Sequence, residues 1–212
     1  MKEKKKKYGW KRFFLFIFNL LYPTKVINKE NLPDGGVLIV ANHFRAIDPA
    51  FMHNVYYKDI YFLAKKEIYE KKFWRKILDI LGAIPIDREN VDVKSMMRAI
   101  KVLKEEHKLV VYPEGTRNKT GSNEIQDIKA GATLFSIKTQ KPIVPVIAYK
   151  KPRIFRRTYL YVGEPFEFYD YYGKKLTQTD YAYLDGLLKE KMVETRNILV
   201  NYVENGNNCS KK

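Results

Sequence analysis

Short runs of consecutive apolar residues alternate along this chain with stretches in which apolar positions recur every three or four residues. The runs at 37–40, 60–64, 83–86, 109–112, 143–149 and 158–162 are rich in β-branched and aromatic residues and predict short, buried strands. Helical patterns around 49–57, 70–80, 91–106 and 130–139 lie between them. From 180 to about 203, Leu184, Leu188, Met192 and Leu199 fall near helical spacing, with Thr179 as the expected N-cap. Turn chemistry at 31–36 precedes the first strand. This alternation predicts an α/β fold: a single domain with a mixed, largely buried sheet flanked by helices. The last helix is expected to cover one face of the sheet.

The start of the chain follows another pattern. Residues 1–12 hold seven Lys or Arg and one Glu, and twelve uncharged residues follow at 13–24. A helix of that length reaches only ~18 Å, short of the ~30 Å hydrocarbon core of a bilayer. A Tyr-Pro-Thr-Lys sequence, rather than small residues fit for cleavage, ends the run. Apolar residues surround this helix on all sides, so it requires either the protein core or one leaflet of a membrane. The adjacent Lys cluster and Trp10 favour the membrane, because each Lys or Arg near an anionic surface contributes ~1 kcal/mol. Expected boundaries are a membrane-anchoring segment at 1–29, a folded domain at 30–205 and a polar tail at 206–212.

Composition narrows the picture. The 212 residues include 40 Lys or Arg against 24 Asp or Glu, a net charge of +16, and 45% are hydrophobic. That apolar share excludes a disordered chain. Cys209 is the only cysteine, so neither a disulfide framework nor a cysteine-based zinc site can form within the chain. Nucleic acid, anionic lipid, an acidic carrier protein and a phosphorylated substrate all remain as partners for the charge. The Lys cluster is not interleaved with stacking aromatics, and no common nucleic-acid motif occurs, so nucleic acid is not expected.

Chemistry concentrates first at Asn42-His43-Phe-Arg-Ala-Ile-Asp48-Pro49, just after the strand at 37–40. His43 and Asp48 are five residues apart, on different faces of any single helix or strand, so they meet only if the chain turns between them. Asp48-Pro49 supplies the turn, since Asp is a good N-cap and Pro suits the first helical position. In the expected geometry one Asp48 oxygen accepts from the helix amides and the other from His43 Nδ1–H. That would leave Nε2 unprotonated, as a general base requires. The plain alternative is a helix start beside an unrelated histidine. A zinc site using His53 or His107 matches no compact spacing, so no metal is expected. A second stretch, Tyr112-Pro-Glu114-Gly115-Thr116-Arg117, turns at the end of a strand and presents amides, a hydroxyl and a guanidinium to an anion, or else is a solvated surface turn.

Taken in order, the motifs resemble the glycerolipid acyltransferases, most closely the bacterial 1-acylglycerol-3-phosphate type. The resemblance rests on Asn42-His43-x4-Asp48, Gly82-Ala-Ile-Pro-Ile-Asp-Arg88, Tyr112-Pro-Glu-Gly-Thr-Arg117 and Ile143-Val-Pro145-Val. The stretches 62–67, with Ala64-Lys65-Lys-Glu67, and 129–132 also fit, and the whole spans roughly 30–150. It implies direct acyl transfer from acyl-CoA or acyl carrier protein to the sn-2 hydroxyl of a lysophospholipid, with no other cofactor and no acyl-enzyme. His43 would be the base and Asp48 its partner. Lys65 and Arg117 would hold the acceptor phosphate, and Glu114, Gly115 and Thr116 would shape its site, with Glu114 able to brace Arg117. Arg88 would contact phosphate or donor, or pair with a carboxylate. Pro145 would line an acyl channel at the end of a strand.

Three positions depart from the family's pattern: Arg45 where Ser is frequent, Tyr112 where Phe is common and Asn118 where Ser is common. Acceptor identity is therefore less constrained than the reaction, and glycerol phosphate or another lysolipid stays open. So does a basic membrane-binding or nucleic-acid-binding module without chemistry. The expected location is the cytoplasmic face of the cell membrane, as a peripheral or monotopic protein with no stable protein partner.

Overall fold

A computed structural model describes residues 2–87, 92–129 and 131–206. Seven strands form one sheet: β1 Thr24–Ile27, β2 Val37–Ala41, β3 Ile60–Lys65, β4 Ala83–Ile86, β5 Lys108–Val111, β6 Ile143–Ala148 and β7 Thr158–Val162. Their order across the sheet is β1-β7-β6-β2-β5-β3-β4. Among the pairings of these described strands only β6–β7 is antiparallel, so the sheet is mixed, as the sequence predicts.

Period-two alternation in the central strand divides the core into two layers. Val37, Ile39 and Ala41 of β2 face one side, with α1 (Lys2–Leu21), α2 (Asp48–Val55) and α3 (Lys72–Leu81). Leu38 and Val40 face the other, with α4 (Val93–Lys104), α5 (Leu134–Thr139) and α6 (Gln178–Glu204). All five residues of β2 are buried. Burial of each large aliphatic side chain stabilises by roughly 1.5–3 kcal/mol, so the strand that carries the first motif is among the most firmly held elements. The parallel strands β2, β3 and β5 end at the same edge of the sheet, where open α/β sheets generally bind ligands.

Several boundaries move. The cap of α6 is Thr177, not Thr179: its hydroxyl accepts from Asp180 N–H while Asp180 returns the bond to the Thr177 amide. A 3₁₀ turn, Lys66–Glu70, takes the start of the helix expected at 70–80. Gly82 ends α3 in the left-handed region at φ 84°, where an added Cβ would lie 2.4 Å from the Ile60 carbonyl oxygen, so only glycine fits. Within the segment 1–29, β1 pairs with β7, and Leu15 and Phe18 of α1 are buried in the core. Phe18 meets Phe51 of α2 edge-on at 4.8 Å between ring centroids. Lys11 donates to the Tyr57 carbonyl at 2.7 Å, and the Asn19 and Asn54 amides pair with each other.

The opposite face of α1 carries Trp10, Phe13, Phe16 and Leu20, all more than half exposed. Beside it a groove of about 800 Å³ runs between Trp10, Phe13 and Ile17 of α1 and Phe73, Ile77 and Ile80 of α3. Among the described residues no helix is long and apolar enough to cross a membrane.

Candidate active site

At the end of β2 the chain leaves the sheet through Asn42, whose side chain is buried. Its amide donates to the Ala148 carbonyl at 2.9 Å and its oxygen accepts from the Ala148 N–H at 2.8 Å, satisfying both backbone groups where β6 ends. His43 follows, and its Nδ1 lies 2.9 Å from Asp48 Oδ2. The same oxygen accepts from the Phe44 N–H at 2.6 Å and the Arg45 N–H at 2.7 Å.

The pair therefore forms as expected, but by a different local route. Asp48 is the first residue of α2, and the N-cap is Ile47, in αR conformation and without a side-chain cap bond. The carboxylate bonds the amides of the preceding turn instead of the helix amides, and one oxygen rather than two carries the load. A carboxylate can only accept, so Nδ1 is the donor in this contact, and in the neutral imidazole Nε2 is then the acceptor.

The ring of Tyr112 stacks on His43 with centroids 4.3 Å apart and planes at 28°. Burial, with the Asp48 charge second, holds the phenol well above its ordinary range, so it stays neutral. Among the described residues its hydroxyl has no hydrogen-bond partner and is buried, as is Arg45 Nε. Glu114, also buried, accepts from the His43 N–H at 3.3 Å and the Gln126 N–H at 3.4 Å. Burial pushes its carboxyl up to about 7, against those two backbone donors and with the Asp48 charge adding to the rise. Glu114 thus braces the backbone of His43, and no ion pair with Arg117 is formed.

His43 opens onto a cleft of about 330 Å³ that also meets Lys65, Tyr112, Gly115, Thr116 and Arg117. Gly115 has φ 69°, a left-handed conformation that favours glycine in this turn. Lys65, at the end of β3, pairs with Glu67 at 3.0 Å, both about half exposed. Six of the eight expected site residues, together with the brace Glu114, are thus gathered around one strand edge, while Arg88 lies outside the described residues. Pro145 sits in the middle of β6, opposite Val40, and not at a strand end; it lines none of the described clefts.

Among the described residues no three His, Cys, Asp or Glu side chains gather as a metal site would require. His53 faces the core, with Nε2 at 3.1 Å from the Leu81 carbonyl oxygen, and burial, then Lys11, lowers its pKa to about 3. Two residues matter more than the sequence suggests. Asn42 fastens β6 to the turn that carries His43. Asn118 donates its N–H to the His43 carbonyl at 2.7 Å and bonds Ser122, Thr120 and Glu124 with its side chain, shaping the loop after Arg117. Asn next to a motif histidine and Asn closing a strand-end turn are the available signals, since Asn competes well for local backbone groups.

The sequence model of the family described as Acyltransferase matches residues 23–149, which hold the whole arrangement. The chain belongs to the acyltransferase family. It is 32% identical over 200 residues to the 1-acyl-sn-glycerol-3-phosphate acyltransferase of Bacillus subtilis, covering 89% of this chain and 92% of the relative. The protein of the same name from Helicobacter pylori is 35% identical over 125 residues, 57% of this chain and 52% of that one. The chain thus spans nearly all of one relative and about half of the other. The crystal structure of the 1-acyl-sn-glycerophosphate acyltransferase of Thermotoga maritima superposes with a TM-score of 0.63, over 92% of this chain and 82% of its own, at 21% identity. That likeness shows a shared fold.

Proposed function

We propose that the protein moves a fatty acyl group from a thioester, carried by coenzyme A or acyl carrier protein, to the sn-2 hydroxyl of 1-acylglycerol-3-phosphate, giving phosphatidic acid. The observation that carries this reading is the His43–Asp48 pair, with Nε2 free at a cleft that also holds Lys65 and Arg117. His43 Nε2 takes the hydroxyl proton as the oxygen attacks the thioester carbonyl. Asp48 stabilises the imidazolium that forms. The tetrahedral centre collapses with loss of the thiolate, which receives the proton from Nε2, so His43 returns neutral and one free thiol is released per ester formed.

Arg117 and Lys65 hold the acceptor phosphate in this reading. Arg117 is exposed and has no recorded ion pair among the described residues, so its guanidinium fork is open to a phosphate, whereas Lys65 would share the anion with Glu67. Wild-type protein given acyl-CoA or acyl carrier protein is expected to release thiol only when 1-acylglycerol-3-phosphate is present. In Arg117→Ala the acceptor KM should rise about 10–100-fold, the equivalent of one charge-assisted hydrogen-bonded contact, with the donor KM unchanged. An acceptor KM that does not move would take Arg117 out of the phosphate site. Running the assay with glycerol phosphate and with other lysolipids separates the acceptors that the fold alone admits.

The exposed face of α1 fits the same reading, since acceptor and product both reside in a bilayer. It would lie in the cytoplasmic leaflet, its apolar side chains below the headgroups and the N-terminal Lys cluster on anionic lipid. Replacing Phe13, Phe16 and Leu20 together by Ser should leave the melting temperature within a few degrees and reduce retention on anionic vesicles by at least about 100-fold, given ~1.5–3 kcal/mol per large side chain. Retention equal to wild type would assign the membrane contact to another surface.

A further inference from the structure

The loop from β6 to β7 carries Lys150, Lys151, Arg153, Arg156 and Arg157, with no acidic residue from 149 to 159. With Tyr149 and Tyr159 these side chains line a cleft of about 580 Å³, within the range of small-molecule sites. It is distinct from the catalytic cleft, and the loop after Arg117 forms the divide: Lys119 lines the catalytic side, and Gly121 and Asn123 line the basic side.

Both walls of the basic cleft are fastened to the catalytic turn. One begins at Tyr149, the residue after Ala148, which Asn42 holds by two hydrogen bonds. The other begins at Asn118, whose N–H is bonded to the His43 carbonyl. Arg196 of α6 fixes the far wall by donating Nε–H to the Asn123 carbonyl at 2.7 Å. On the rim, Glu204 accepts from the Tyr149 hydroxyl at 2.6 Å, and Lys150 lies 4.4 Å from the Tyr149 ring centroid. Among the described residues none of the five loop cations forms an ion pair. Five like charges held around one concavity repel one another, and an anion with several negative oxygens removes that repulsion. Three of the five are arginines, whose planar forks match phosphate.

We propose that this cleft receives the phosphate-bearing carrier end of the thioester donor: the phosphate at the opposite end of the phosphopantetheine arm from the sulfur. The inference rests on the acyl transfer proposed above. That phosphate is common to coenzyme A thioesters and acyl carrier protein. The first adds a nucleotide with further phosphates, for which the two tyrosine rings offer stacking faces, and the second adds acidic side chains. The arm then crosses the loop after Arg117 and brings the thioester to His43, so donor and acceptor approach the base from opposite sides of one loop.

The test is Arg153→Gln with Arg156→Gln and Arg157→Gln, three exposed positions whose replacement leaves the core untouched. Donor KM, acceptor KM and kcat are measured in detergent micelles, separately with acyl-CoA and with acyl carrier protein, and free coenzyme A is titrated onto both proteins by calorimetry. The triple variant should raise the donor KM at least about 10-fold, with kcat at saturating donor and acceptor KM within about 2-fold of wild type, a loss of binding rather than of chemistry. The wild-type donor KM should also climb with salt, as exposed charges demand, and that of the variant should be flat. The carrier whose KM moves identifies the source of the phosphate. A donor KM unchanged with both carriers overturns the proposal, including the case where the variant loses only vesicle binding, which would make the loop, with exposed Ile154 and Phe155, a lipid contact. If wild type transfers acyl groups from neither donor, the functional reading fails and the titration decides: binding weakened at least about 10-fold in the variant supports the cleft, and no binding overturns it.

Discussion

In His43→Ala, acceptor-dependent thiol release should fall by about 10²–10⁴, with both KM values near wild type. The size follows from the job: an alcohol attacks a thioester poorly until its proton leaves as the new bond forms, and among the described residues of the cleft no other acceptor is placed to take it. Glu114, the carboxyl whose range reaches neutrality, is buried and turned toward the His43 and Gln126 amides. Tyr112 stays a neutral phenol, a donor rather than a base. The histidine side chain bonds only Asp48 and stacks on Tyr112, so its loss costs little stability and the melting temperature should shift by only a few degrees. A variant as active as wild type would end the mechanism proposed here.

Asp48→Ala should lose both activity and stability, which sets it apart from the first variant. Asp48 Oδ2 is the acceptor for the His43 ring and for the Phe44 and Arg45 amides at once. Without it the imidazole is free to exchange tautomers and its cation loses a counter-charge, so turnover should fall by about 10²–10⁴. Two backbone donors are also left without partners in a mostly buried turn, at about 1–3 kcal/mol each. Asp48→Asn separates the effects. Its amide oxygen can still accept from the turn, so melting should recover most of the loss, while the missing charge keeps turnover low. Thermal melts beside thiol-release rates check both. Equal melting of Asp48→Ala and wild type would mean the turn does not depend on this carboxylate.

How far the chain disclosed this arrangement varies by element. The strand at 37–40 is plain because a parallel strand buried on both faces is written as a continuous aliphatic run. Those at 60–64 and 83–86 are partly half-buried and are marked by their short apolar runs between turns. β1 was missed: Thr24–Ile27 is four residues long, follows a proline, and stands at the edge of the sheet, where pairing with β7 from the far end of the chain makes it a strand. For α1 the sequence posed core against membrane as alternatives, and the structure places one face in the core and leaves the other exposed. Leu15 and Phe18 turn inward while Phe13, Phe16 and Leu20 turn out, a division a helix surrounded by apolar residues does not reveal until its neighbours are known. The His43–Asp48 pairing was legible because only a turn can join them. Which amides share the carboxylate was not, since that depends on the turn closing at Arg45 before α2 begins. Glu114 is expected from sequence to help shape the acceptor site and to be able to brace Arg117, whereas the strand edge presents it to the backbone of His43, 71 residues away along the chain.

Only Tyr22 and Pro23 separate the end of α1 from β1, and proline holds its own backbone nearly rigid. If α1 floats in a leaflet, the protein rides like a hull without a mooring line: there is no slack by which the catalytic edge could dip or lift. The height of His43 above the headgroups would be set once, at docking, by the bonds that tie α1 to α2. The lipid hydroxyl must then travel the remaining distance by rising or tilting out of its monolayer. A looser linker between Leu21 and Thr24 would change that draught, and turnover on vesicles should respond to it while turnover in dilute micelles should not.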